Sequence, residues 1–415
     1  PDPDVASEPI GRQPLQGPMA DVERFDVVVV GAGPVGLWTA IQVKKRNPVA
    51  RVVILERYES YRRSHVLRLD HLSMLLYCRR SADARELEFY HEAIGKDFKP
   101  RSIKSVYLRT NTLEAALRRY ALDLGVIVIH QEALSPDVVQ AQFPGARCYI
   151  AADGAHSRMR RSLLGENELR SIPLQYVVEA KYEARGASRP LDFLREGYKT
   201  QKILKFLTFE YVGRARDGVT PVTLRLFVDR RTYGEVPTAT FKAPLPLNFE
   251  QLPQLLTADL NTYLNVRKSI TGEEYIPGSG KLTKLILSTY RARRFAVVNK
   301  GVPWFLVGDA AMGVPYFRAL NCGMLCSSLL AMISCGLIGK RRSVTSALAL
   351  YSWFATMRFL TERFIAATKN TALGAVDAYR RWGAMVPWQT TKWSDDHVFA
   401  YKAQEHYALD DDGAV

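Results

Sequence analysis

The sequence has little that would hold a fold together covalently or through a metal. Its five cysteines, Cys78, Cys148, Cys322, Cys326 and Cys335, are odd in number and lack paired zinc spacing, which suggests neither a disulfide framework nor a zinc site and suits a reducing, cytoplasmic compartment. The seven histidines form no H-E-x-x-H and no His/Cys cluster, so no metal is expected. No signal peptide is expected from these residues, and no internal repeat is found. One apolar run, residues 324–339, covers 16 residues, short of the roughly 20 a spanning helix needs. It reads as a buried helix ended by Gly339, with Lys340, Arg341 and Arg342 at the negative end of its dipole. No nucleic-acid motif accompanies the net charge of +15, and the basic residues are spread in pairs such as Arg62-Arg63, Arg160-Arg161 and Arg293-Arg294. Nucleic acid is therefore discounted, leaving a dinucleotide, an acidic protein, a membrane surface or plain solvation to account for the charge.

What is present is enough apolar material, 47% of 415 residues, to build a large core in two or three units. Residues 1–20 are rich in proline and glycine and read as a disordered leader. Residues 25–30 are a continuous β-branched run, the pattern of a parallel strand buried on both faces. A helix over 34–46 and a second buried strand over 51–56 complete a βαβ opening. A helical face over 113–124, stopped by Gly125, feeds a strand at 126–129. Between about 170 and 300 the pattern changes to alternating runs at 176–182, 203–211 and 222–228, with one helix at 249–266, which predicts a mainly antiparallel unit. A buried strand returns at 304–307, and residues 324–382 read as two or three helical segments.

Three motifs carry the chemistry. The first, Gly31-Ala32-Gly33-Pro34-Val35-Gly36, lies between strand and helix. Its first glycine permits the tight turn, its second lets backbone approach a pyrophosphate and its third lets helix pack on strand. Glu56 ends the next strand, where a carboxylate can accept hydrogen bonds from a ribose. This combination predicts dinucleotide binding and does not by itself separate FAD from NAD. The second motif is Asp153-Gly154-Ala155-His156-Ser157-Arg158-Met159-Arg160, and the third is Gly308-Asp309-Ala310-Ala311, with Pro315 six residues past Asp309.

On these residues the chain resembles the class A flavoprotein monooxygenases: Asp153, Gly154, Ser157 and Arg160 match their D-G-x-x-S-x-x-R segment, and Leu350-Tyr351 with Arg358 resembles the helix after their third motif. The resemblance covers about residues 25–380. It implies an α/β fold: a Rossmann-type, glutathione-reductase-like FAD-binding domain (21–168 and 281–345), an inserted antiparallel substrate domain (169–280) and a C-terminal helical segment and tail (346–415). Within that class, Arg63-Ser64-His65-Val66-Leu67, Phe89-Tyr90 and residues 113–126 look most like the monooxygenase domain of the MICAL proteins, which oxidise actin methionines.

The resemblance implies FAD contacts at Gly31, Gly33, Pro34, Gly36, Glu56, Arg57, Arg63, Arg109, Asp153, Arg160, Gly308, Asp309, Pro315, Asn321 and Gly323. Asp309 would take the ribityl hydroxyls. Arg109 is the candidate for an arginine usual before the 113–124 helix, with Asn111 the alternative. Two departures stand out. Where the family continues its proline with a glycine-rich turn, this chain has Tyr316-Phe317-Arg318-Ala319-Leu320-Asn321-Cys322 before Gly323. Either that loop takes another path, or Arg318 brings positive charge to the flavin or substrate; an outward surface arginine is the plainer alternative. Residues 131–147 are short for the usual strand pair and read as a trimmed hairpin.

The class implies transient NAD(P)H, with NADPH the expected form, since only one G-x-G-x-x-G is present. It also implies hydride transfer to flavin N5, oxygen addition at C4a and delivery of one oxygen atom to a substrate, chemistry that resides in the cofactor. No catalytic side chain is assigned. A small-molecule substrate is expected, with an acidic protein the alternative. Two other readings stay open: a flavin reductase, dehydrogenase or peroxide-producing oxidase on the same fold, and a flavin-bound interaction protein.

Overall fold

The computed structural model describes residues 24–59, 66–70, 73, 105–165, 167–186, 188–192, 196–315 and 318–385; the expected leader and the acidic tail lie outside them. The chain opens with β1 (Val27–Val30), α1 (Pro34–Arg46), β2 (Val52–Glu56), β3 (Val66–Asp70), β4 (Ser105–Arg109), α2 (Thr110–Asp123), β5 (Ile127–His130), α3 (Pro136–Gln142), β6 (Cys148–Ala151) and α4 (Arg158–Leu164). An inserted unit follows: β7 (Leu169–Arg185), α5 (Tyr198–Ile203), β8 (Leu207–Val212), β9 (Val219–Val228), α6 (Arg230–Glu235), β10 (Leu245–Pro246), α7 (Gln254–Thr271), β11 (Glu274–Tyr275) and β12 (Lys281–Ala292). The chain then returns through β13 (Ala296–Asn299), β14 (Val302–Leu306), β15 (Met312–Gly313), α8 (Ala319–Ile338) and α9 (Val344–Met385).

The first sheet runs β13-β14-β6-β1-β2-β5, parallel except for the β13–β14 hairpin at its edge. Its central strand β1 is four valines, all buried, because helices and neighbouring strands leave neither face to water. Pro34 sits in the first turn of α1, where its missing N–H costs nothing, and Lys44, Lys45 and Arg46 fill the last turn against the dipole. One apolar core joins this sheet to α1, α8 and the first half of α9. Buried hydroxyls lock α1 to α8: Trp38 Nε1 donates to Ser328 Oγ at 3.2 Å and Thr39 Oγ1 to Ser327 Oγ at 2.8 Å. At 20 residues and a mean hydropathy of 1.7, α8 is long and apolar enough to cross a membrane, yet most of it is buried inside the protein. It begins five residues before the apolar run at 324.

The second sheet, β10-β12-β7-β9-β8, is antiparallel, with β11 on β7 and β15 on β12. The long β7–β12 ladder shifts register between Leu287 and Ser288, opposite Pro173, where proline cannot donate to a ladder. Because β12 belongs to this sheet from Lys281 onward, the chain rejoins the parallel sheet at β13 and not at residue 281. Three further expectations are revised. The hairpin expected over 131–147 is replaced by α3, started by Pro136 and capped by Ser135 Oγ, which accepts from Val138 N. The strand expected from 203 begins at Leu207, after the single turn α5, and the helix expected from 249 begins after Pro253, preceded by a 3-10 turn at Phe249–Gln251.

The inserted unit has its own core and one buried charge cluster. Arg267, fully buried on α7, pairs with Glu210 of β8 and with Glu273 (Nη2–Oε2 2.7 Å), and it donates to the Arg189 carbonyl at 3.0 Å. Burial raises the Glu210 carboxyl, whereas at Glu273 burial is outweighed by the Arg267 guanidinium, Ser188 and Tyr182, and that carboxyl lies below its ordinary range. Removing one partner from such a cluster strands buried charge. Arg267→Met is therefore expected to cost about 3–5 kcal/mol in urea unfolding; a loss below about 1 kcal/mol would contradict this role.

Candidate dinucleotide site

The motif-bearing segments all leave the carboxyl ends of four neighbouring parallel strands. The glycine turn follows β1, Glu56 ends β2, Asp153 follows β6 and Gly308-Asp309 follows β14, and the sheet order places these strands side by side. This edge is where open α/β sheets take their ligands.

Local contacts fix each piece. Gly31 has φ +105°, and a Cβ there would lie 2.5 Å from the Ala152 carbonyl oxygen, so β1 and β6 meet at a spot with no room for a side chain. A Cβ at Gly36 would lie 2.0 Å from the Gly31 carbonyl oxygen, which brings α1 down onto the turn. Gly33, by contrast, faces open space. Glu56 folds back over the turn: Oε2 accepts from Ala32 N at 2.7 Å and Oε1 from Tyr58 N at 3.0 Å. Arg57 is exposed, with its guanidinium 4.5 Å from the centroid of the Tyr58 ring.

Asp153 Oδ2 accepts from Arg158 N at 2.8 Å and Met159 N at 3.1 Å, and Ser157 Oγ accepts from Arg160 N at 2.9 Å, so the second motif caps α4. Among the described residues Asp153 Oδ1 is buried with no hydrogen-bond partner. Arg160 is 2% exposed, and its guanidinium donates to the carbonyls of Ala155 (2.8 Å), Ala310 (3.0 Å) and Asp309 (3.4 Å). It clamps the second motif to the third, and desolvation pulls its pKa down. Tyr290 Oη also donates to the Asp309 carbonyl, at 3.1 Å.

Arg318, half-buried, pairs with Glu362 of α9, with Nη2–Oε1 at 3.0 Å, and this pairing raises the guanidinium pKa. Asn321 is buried and spends its amide on β3, accepting from Asp70 N at 2.7 Å and donating to the Arg68 carbonyl at 2.9 Å. Gly323 is where α8 comes closest to the third motif: a Cβ there would lie 2.7 Å from Val35 Cγ2 and 3.2 Å from Gly308 Cα. Arg109 immediately precedes α2 as its N-cap and is half-buried. Arg63 lies outside the described residues. Sequence reasoning missed Arg68, Tyr290 and Glu362; only the i,i+4 spacing of Arg358 and Glu362 offered a signal.

This arrangement is a Rossmann-type nucleotide-binding sheet with an inserted antiparallel sheet and C-terminal helices. Residues 26–168, its first segment, match the model of the FAD dependent oxidoreductase family. No curated protein matches the chain in sequence. Among solved structures the fold is similar to that of the Diels-Alderase PyrE3 of pyrroindomycin biosynthesis (TM-score 0.52, 17% identity, covering 87% of this chain and 77% of that one). It is also similar to CtdE, solved in complex with FAD and a substrate (TM-score 0.51, 13% identity, 93% and 97% covered).

Gly31 and Gly33 sit two residues apart with opposite surroundings, which separates folding from access. Gly31→Ala is expected to lower stability by about 2 kcal/mol or more, through strained backbone and a clash with backbone that cannot yield. Gly33→Ala is expected to leave the thermal midpoint of the flavin-free protein unchanged. Equal shifts for the two variants would contradict the geometry.

Proposed function

We propose that the chain is an FAD-dependent monooxygenase that uses a nicotinamide dinucleotide, NADPH in preference, and O2 to oxygenate an organic substrate. The observation that carries this reading is the gathering of the glycine turn, Glu56, Asp153 and Gly308-Asp309 at the carboxyl ends of four adjacent strands. The residues fit the cofactor. Gly33 leaves an open approach to the start of α1, where unpaired N–H groups and the helix dipole favour a pyrophosphate. Glu56 is held rigid by Ala32 and Tyr58 N–H groups and keeps lone pairs for ribose hydroxyls. The buried Asp153 Oδ1, without a hydrogen-bond partner among the described residues, marks an acceptor beside the same turn.

Asp309 would hold the ribityl chain, with its backbone fixed by Arg160 and Tyr290 through the shared carbonyl. Arg109, half-buried at the start of α2, would be the cation offered to the dinucleotide. When bound, FAD supplies hydride acceptance and, once reduced, reaction with oxygen. The protein's own task is to orient the cofactor and to keep water from the reacting face. A single glycine-rich fold accounts for one resident dinucleotide, which supports transient use of the nicotinamide one. The narrower MICAL-like reading rests in part on Arg63-Ser64-His65 and Phe89-Tyr90, outside the described residues, and the proposal does not depend on it.

Purified protein is expected to carry the visible spectrum of oxidised flavin, and product formed under isotopically labelled oxygen to carry the label. Asp309→Ala is expected to weaken FAD retention about tenfold or more, the cost of losing charge-assisted hydrogen bonds. Full flavin occupancy in that variant would remove Asp309 from the site, and unlabelled product would turn the reading toward a reductase or oxidase.

A further inference from the structure

The 42-residue α9 is buried along one side only. Tyr351, Ala355, Phe359, Glu362, Ala366 and Arg380 form that side, and all are buried. On the opposite side Trp353, Met357, Leu360 and Phe364 recur at helical spacing and fall along one stripe. All four are exposed, Trp353 by 61% and Phe364 by 72%. Single exposed apolar residues are ordinary, whereas large ones in a continuous row mark a surface that a partner covers. The same line continues through the small residues Ala367, Thr371, Ala375 and Ala378 to Trp382, about 44 Å from Trp353. The Trp382 ring lies 6.2 Å from that of Tyr379, which lies 6.5 Å from that of Tyr198 on α5. Lys202 Nζ stands 4.6 Å from the Tyr198 ring centroid. Aromatic rings thus carry the stripe onto α5, where Ile203 is exposed as well.

The charge beside the stripe is of one sign. The two acidic residues of α9, Glu362 and Asp377, both lie off it: Glu362 is buried against Arg318 and Arg358, and Asp377, half-buried, pairs with Arg380 and Arg381. Residues 198–206, which include α5, contain no carboxylate and three lysines, Lys199, Lys202 and Lys205. Arg363 and Lys369 of α9 are exposed, as are Lys199 and Lys205 beside its end.

We propose that this face of α9, with α5 at its end, lies flat on a lipid surface that carries anionic headgroups. A helix that is apolar along its outer line and basic at its margins enters the boundary between acyl chains and headgroups, parallel to the membrane plane. Tryptophan and tyrosine rings settle at headgroup depth, and lysine and arginine stems reach the phosphates. A second copy of the chain fits less well, because pairing the stripe with itself sets these cations against one another. An anionic surface also gives the net charge of +15 a partner apart from the dinucleotide. No residue of the dinucleotide edge takes part, so the proposal stands apart from the monooxygenase reading.

The test is co-sedimentation of the full chain with vesicles of phosphatidylcholine and phosphatidylserine, and with vesicles of phosphatidylcholine alone, at constant ionic strength. Binding to the mixed vesicles is expected, falling about tenfold or more without phosphatidylserine. Phe364→Ser and Trp353→Ser are each expected to weaken it about tenfold. Neither should move the thermal midpoint, since both side chains already face water. Val49→Ser, an exposed apolar change on the loop after α1, is expected to leave binding intact. No binding to mixed vesicles, binding that ignores phosphatidylserine, or full binding by Phe364→Ser would each overturn the proposal. So would a dimer in sedimentation equilibrium that Phe364→Ser dissociates, which would assign the face to a second copy. Cross-links from Lys369 to Lys392 or Lys402 within one chain, in protein that binds no vesicles, would assign it instead to residues 386–415.

Discussion

Val35, between the second and third glycines of the first turn, fills the volume that side chains at Gly308 and Gly323 would otherwise need, with its Cγ atoms 3.0 and 2.7 Å from where those Cβ atoms would sit. Close packing of this kind tolerates almost no added volume. The first turn, the third motif and the start of α8 therefore meet at one side chain, although they are far apart in sequence. The Val35 carbonyl continues the contact by accepting from the Ser327 hydroxyl at 3.3 Å. Because α8 is set by this contact, so is Asn321, and through its amide β3 is set as well. The dinucleotide edge and the Arg318–Glu362 pair beside it thus inherit their spacing from the same place.

The 42-residue α9, about 63 Å long, carries that spacing outward. Near its start Tyr351 Oη donates to the Leu306 carbonyl of β14 at 2.6 Å, two residues before Gly308. A few turns later Glu362 gathers Arg318. Near its end Arg380, 3% exposed, donates to the carbonyls of Gln201, Leu204 and Lys205, each at 2.7 Å. Asp259 of α7 completes that junction by accepting from Lys205 N and Phe206 N. One helix is thus bonded to the parallel sheet, to the loop beside the site and to the inserted unit.

Much of the parallel half was legible in the sequence, because its signals are local. Four valines before a glycine turn, a helix begun by Pro34 and a carboxylate at a strand end each declare themselves within a few residues. The revisions fall where a local signal was outweighed or overlooked. Ser135-Pro136 is a helix start in its own right, and it defeated an expectation of a hairpin drawn from family pattern. The roles of Arg160, Arg318 and Asn321 were not legible, because each is decided by a partner more than 40 residues away: backbone carbonyls at 309 and 310, Glu362, and the β3 backbone. Residue type predicts that a buried arginine will find acceptors. It does not say whose.

The grip of Arg380 on the end of α5 has a consequence for how such proteins can be recombined. By chain order the inserted unit looks like a cassette, entered after α4 and left at β12, that could be exchanged for another. Its α5 junction is closed by the last turns of a helix whose start is bonded to the parallel sheet, and its longest ladder extends through β15 into the segment just after Gly308-Asp309. A transplanted cassette would arrive with three unanswered backbone carbonyls and an unpaired strand end. The inserted antiparallel unit and the parallel-sheet unit are therefore bound to change together, by co-ordinated substitution, and not by exchange of modules.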